Sequence, residues 1–217
     1  MKTVINGSLC VCIGILLLTG CAATNLQYDL PQATNVAITD LKIAVAHPEA
    51  KRQPNKDVDK MWANEPSEEM QEVIQGEVKS TGLFRETISL AKDEEPHDCQ
   101  LILNTSLKEL AWEIPNLKAQ EGKMLVISAL TGGLGGLAYG SGSTDFYGKA
   151  KMHIILKEMA TGKVLIDKEY SSRVAKKMAR LKTDSYEQRS KIIGEAVKQV
   201  MNEFKIDLDR VIERDMK

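Results

Sequence analysis

The chain has 217 residues, 27% of them charged, and a net charge of −1. That length suits one domain of ordinary size with a leader or tail, and the near balance of charge excludes a nucleic-acid binder built on a strongly basic face. Only the stretch Arg173 to Lys182 is locally basic, through Arg173, Lys176, Lys177, Arg180 and Lys182, and it reads as a solvated strand end or loop.

The chain opens with one charge, Lys2, and continues uncharged from Thr3 to Thr19 around an apolar centre, Leu9 to Leu18. A bilayer-spanning helix needs ~20 apolar residues, about twice that centre, so residues 1–20 are expected to be a cleaved signal peptide rather than a permanent span. The ending Leu18-Thr19-Gly20-Cys21 resembles the lipobox of bacterial lipoproteins: a branched aliphatic, two small residues, then Cys. Small side chains let a peptidase reach the backbone, and the Cys21 thiol is the nucleophile that accepts the lipid. An ordinary secretory peptide with a chance Cys is the alternative. By resemblance to enterobacterial sorting, Ala22 in place of Asp directs the protein to the outer membrane, lipid-anchored and facing the periplasm. Several acyl chains, palmitate among them, would make that attachment effectively permanent. Cys10 and Cys12 leave with the signal and Cys21 is acylated, so Cys99 has no partner for an internal disulfide. It starts an apolar alternation and reads as a buried, inert thiol.

Residues 21–40, punctuated by Asn25, Pro31 and Asn35, are expected to form a lipidated flexible tether, and residues 41–217 a single α/β domain. Leu41 to Ala46 suits a buried strand, closed by a loop from His47-Pro48 through Asn55. Ser67 is placed to cap a helix whose apolar positions are Met70, Val73, Ile74 and Val78. Glu68 and Glu69 lie at its positive end, and Gly82 stops it. Phe84, Ile88 and Leu90 suggest a strand ended by the acidic turn Asp93-Glu94-Glu95-Pro96. Cys99, Leu101, Leu103, Thr105 and Leu107 alternate more cleanly. An irregular stretch around Trp112 and Pro115 follows. Ala150, Met152, Ile154 and Leu156 then pair, across the turn Ala160-Thr161-Gly162-Lys163, with Val164, Ile166 and Tyr170 in a hairpin. Ser185 with Gln188 has a capping-box pattern at the start of a helix carrying Ile192, Ile193, Ala196, Val197, Val200, Met201 and Phe204. A further short helix is expected through Leu208, Val211 and Ile212. This order predicts an α+β two-layer sandwich: a mixed or antiparallel sheet of four to five strands with two main helices on one face.

Four features together, namely Ser80-Thr81-Gly82-Leu83-Phe84, the glycine-rich run Gly132 to Gly148, Ala160-Thr161-Gly162-Lys163-Val164-Leu165 and the amphipathic terminal helix, resemble a broad group of outer-membrane lipoproteins. That group includes the penicillin-binding-protein activators and the curli secretion channel subunit. The resemblance implies a periplasmic module that binds a partner protein or builds an envelope assembly, and it carries no catalytic residue over.

From Met124 to Thr144 there is no charge, and Gly132, Gly136 and Gly140 stand four apart. On a helix they would share one face, where backbones could approach closely. This is the basis of the alternative function, a membrane-inserting oligomeric secretion-channel-like lipoprotein using segment 124–142, in which the chain would be a homo-oligomer. The other reading is a buried element followed by a loop, because Gly is costly in a helix exposed to water. Gly133-Leu134-Gly135-Gly136-Leu137-Ala138 matches a dinucleotide-binding pattern, yet no alternating strand and helix series surrounds it.

His47, His97 and His153 have no partner at metal-ligand spacing, and no serine stands at a nucleophile elbow. We therefore expect no enzyme activity, no metal and no cofactor. The expected partners are the membrane, through the N-terminal lipid, and a periplasmic or outer-membrane protein, with no nucleic acid.

Overall fold

The computed structural model describes residues 25–32, 37–51, 66–115, 142–180 and 185–216. Residues 1–20, expected to be a signal peptide, and Cys21, Ala22, Gly132, Gly136 and Gly140 lie outside the described residues.

The elements in chain order are strands β1 (Lys42–Val45) and β2 (Glu49–Ala50), helix α1 (Pro66–Ser80), strands β3 (Glu86–Ser89), β4 (Leu101–Glu113), β5 (Ser143–Glu158) and β6 (Val164–Ala179), and helix α2 (Tyr186–Asp215). The sheet runs β3-β1-β4-β5-β6, with β2 paired to β4 away from that path. β1 is parallel to β3 and β4, β2 is parallel to β4, and β4, β5 and β6 are antiparallel to one another. The expected mixed α+β sandwich is therefore the fold. Among the described residues it has six strands rather than four to five, because Glu49 and Ala50, inside the stretch read as a loop, pair with Ser106 and Leu107.

Period-two alternation sends Leu101, Leu103 and Leu107 of β4 and Met152, Ile154 and Leu156 of β5 to one face. There they meet Met70 and Ile74 of α1 and Val197, Val200 and Phe204 of α2 in one core. Both helices thus cover the same face of the sheet. Tyr170 of β6 stands edge-on to Phe204, with ring centroids 6.0 Å apart.

Two expected boundaries move. The stretch around Trp112 is strand, because a bulge between Leu107 and Glu109 shifts the β4 register by one residue. Leu110 and Trp112 thereby come opposite Ala150 and Gly148. The terminal helix is a single element of 30 residues, since Leu208, Val211 and Ile212 continue the buried stripe of Ile193 to Phe204 without a break. Ser185 does occupy its N-cap position in an extended conformation, but without a side-chain capping hydrogen bond. No helix among the described residues is long and apolar enough to cross a membrane.

Candidate functional site

α1 and α2 lie beside one another with their N-termini at the same end, as two cross-links show: Glu69 and Ser190 hold neighbouring strap residues, and Glu77 pairs with Lys205. Residues Asn25 to Tyr28 run along the groove between them. The Leu26 N–H donates to Glu69 Oε2 at 2.5 Å, the Gln27 N–H donates to Ser190 Oγ at 2.7 Å, and the Ser190 hydroxyl donates to the Asn25 carbonyl at 2.6 Å. A Cβ on Gly194 would stand 2.1 Å from the Gln27 carbonyl oxygen, so only glycine at this position lets the strap lie against α2. Further along, the Tyr28 hydroxyl donates to Glu77, which is 1% exposed and also receives the Lys205 ammonium. The Ile38 and Thr39 N–H groups then donate to the carbonyls of Gly82 and Leu83, leading the chain into β1. Inside the stretch 21–40, expected to be a flexible tether, the backbone is hydrogen-bonded to the domain at Asn25 to Gln27 and at Ile38 to Thr39.

The electrostatics of the strap are uneven. Burial pushes the Glu69 carboxyl above its usual range and outweighs the opposing pull of the Leu26 N–H. Its second oxygen, Oε1, is buried and unpartnered among the described residues. Burial, followed by the Glu77 carboxylate, likewise pushes the Tyr28 phenol upward. Glu77 carries the better satisfied charge, with an ammonium and a hydroxyl both directed at it.

A polar cleft of about 570 Å³ opens beside the N-terminal half of α1, and a second of about 470 Å³ adjoins it, His47 and Lys92 belonging to both. They lie at the carboxyl ends of the parallel strands β1 and β3, where open α/β sheets commonly take ligands. Gln71 braces the site: its Nε2 donates to the Leu90 carbonyl at 2.6 Å, and its Oε1 lies 3.2 Å from His47 Nδ1. The walls mix Glu68, Glu72 and Lys92 with amides and hydroxyls. The three histidines are not brought together. His47 is on this cleft, His97 is in the loop before β4, and His153 pairs with Asp167 at 2.6 Å on the face of the sheet opposite the helices. No group of three or more His, Cys, Asp or Glu able to hold a metal ion occurs among the described residues. Cys99 precedes β4 and is partly exposed rather than buried in a strand; what burial it has pushes its thiol pKa up.

Further along in the same direction, beyond the ends of β1 and β3, where β4 and β6 finish and β5 and α2 begin, a second small cluster joins Ile114, Phe146 and Ile192, with Trp112 packed against it. Here too a glycine is required: a Cβ on Gly148 would stand 2.1 Å from the Ile192 carbonyl oxygen. The Arg189 guanidinium lies 4.0 Å from the Trp112 ring centroid, and that of Arg173 lies 3.9 Å from Tyr147.

Sequence reasoning did not single out Tyr28, Glu69, Glu77, Ser190 or Gly194 as a unit. The available signals were Leu26 and Tyr28, large apolar bodies in a stretch taken for tether, and Gly194, a helix-weakening residue inside an apolar stripe.

No protein-family model matches the chain, and no curated protein does. Solved structures to which the chain shows some similarity include protein XCC0632 from Xanthomonas campestris, at TM-score 0.49 and 10% identity, covering 84% of this chain and 92% of that one. A protein from Chlamydia trachomatis, CT253, is similar at TM-score 0.45 and 7% identity over 78% and 96% of the two chains. Lipoprotein GNA1162 from Neisseria meningitidis is similar at TM-score 0.41 and 12% identity over 76% and 98%.

Proposed function

We propose that this chain is a lipoprotein of the bacterial outer membrane, lipidated at Cys21 and facing the periplasm, whose domain acts by binding other envelope proteins. The observation that carries the reading is the docked strap. Asn25, four residues after the lipobox cysteine, is already hydrogen-bonded to α2. A chain segment destined only for removal or for random motion has no need of a glycine kept clear for it on a helix.

The protein-binding half of the reading is supported by β6, a 16-residue strand at the edge of the sheet. Its outer side has no neighbouring strand among the described residues, and an extended segment from another protein can add to such an edge. Basic side chains along it, Lys168, Lys176 and Lys177, discourage indiscriminate pairing.

Metabolic labelling with palmitate tests the anchor: the wild-type chain takes up label and fractionates with the outer membrane, and Cys21→Ser does neither. Label on Cys21→Ser sinks the lipoprotein reading. For the partner, a photo-crosslinking residue at exposed Ser171 of β6 is expected to give discrete protein adducts in cells that one at exposed Lys198 of α2 does not. Equal or absent adducts at both positions would remove the binding half.

A further inference from the structure

We propose that the corner of the domain formed by the end of β6, the first turns of α2 and the start of the docked strap is a contact surface for an anionic lipid bilayer. The inference rests on lipidation at Cys21 and assigns the side of the domain that meets the membrane.

Topology brings three features to this corner. β6 ends at Ala179 and α2 begins at Tyr186, so the strand end and helix start adjoin. Ser190, in the first turns of α2, holds the backbone of both Asn25 and Gln27. Asn25 is four positions from Cys21, a span of at most ~14 Å when fully extended. A lipid on Cys21 therefore keeps the bilayer surface within roughly one or two Debye lengths of this corner, near enough for its charge to act.

The charge here has the sign such a surface attracts. The described residues between Arg173 and Lys191 include six basic ones and one acidic one, on a chain of net charge −1. Arg173, Lys176, Lys177 and Lys191 are exposed. The carboxylates facing them engage them loosely or only in register. Glu113 lies 3.4 Å from Arg173 but 2.7 Å from Lys149, Glu195 lies 3.4 Å from Lys176, and Asp145 is the cross-strand neighbour of Lys177. The acidic residues of α1, Glu68 and Glu72, line the cleft on the other side of the groove. Tyr147, Tyr186 and Trp112, each touched by an arginine, add the aromatic and cationic mixture that suits a membrane–water interface.

The test is lysine footprinting on the acylated mature protein, inserted into preformed vesicles of phosphatidylcholine alone or with phosphatidylglycerol, and read by mass spectrometry after brief acetylation. Lys176, Lys177 and Lys191 are expected to label about fivefold more slowly on the anionic vesicles, the order expected when a basic residue meets a charged bilayer surface. Lys163, at the opposite end of β6 and 55% exposed, is expected to label equally on both. Equal labelling of all four lysines on the two vesicle types overturns the proposal, as does protection that is the same with and without phosphatidylglycerol. The same spectra report acyl mass on the Cys21 peptide. Its absence would overturn the lipoprotein reading itself, whereas unprotected lysines on an acylated chain would overturn only the surface.

Discussion

Glu69 shows how little margin the strap has. One of its oxygens accepts the Leu26 N–H, while the other is buried without a partner among the described residues, so its charged form is disfavoured in the folded protein. A carboxyl whose folded pKa is raised contributes stability that is present below the unfolded value, 4.5, and is lost as pH rises through the folded value. At neutral pH the wild type therefore carries that cost. Glu69→Gln keeps an oxygen for Leu26 and removes the charge, so it should unfold at a higher urea concentration than the wild type at pH 7, by an amount that solvent at the half-buried carboxyl keeps small. The gain should shrink toward zero as pH falls to 4.5. A constant gain at all pH values would show that charge burial is not its source. Glu77 is the opposite case, a buried carboxylate satisfied by Tyr28 and Lys205. Lys205→Met strands that charge and should cost about 3 kcal/mol, while Glu77→Gln combined with Lys205→Met should recover most of the loss. Additive losses in the double variant would contradict the pairing.

At the scale of elements, the close approach of the strap to α2 depends on Gly194. Alanine favours a helix over glycine by ~1 kcal/mol, so Gly194→Ala should leave α2 at least as stable by itself. Its Cβ, however, would stand 2.1 Å from the Gln27 carbonyl oxygen and displace the strap. Limited proteolysis should then cut between residues 25 and 32 in the variant while α2 stays intact; an unchanged cleavage pattern would mean that the strap does not lie where the structure places it. The elements themselves were largely legible in the sequence. The α1 stripe of Met70, Val73, Ile74 and Val78 and the hairpin alternation of β5 and β6 follow directly from periods of 3.6 and 2. The second half of β4 was not legible, because the bulge near Lys108 reverses the inward parity, and Leu110 and Trp112 fall out of step with Leu103 and Leu107. The strap was hidden for another reason: its contacts are made by backbone groups with side chains 43 to 165 positions away in the chain, and no local pattern encodes such pairings.

For the whole molecule, the docked strap would turn the proposed lipid anchor into an orientation. With the backbone free from Cys21 to Leu41, a chain of about 20 residues could let the domain range up to ~70 Å from the bilayer. With Asn25 fixed against α2, the lipid proposed on Cys21 would draw the N-terminal ends of both helices toward the membrane, and the opposite end of the hairpin, at Gly162, would project away from it. The measurement that tests this most directly is amide hydrogen exchange at Leu26 and Gln27 in the acylated mature protein. Both amides donate to side chains of the helix pair, so the account predicts exchange slowed well below the rate of an unstructured peptide, alongside the protected amides of α1 and α2. Exchange at the unstructured rate at both positions, in a protein whose helices remain protected, would contradict it.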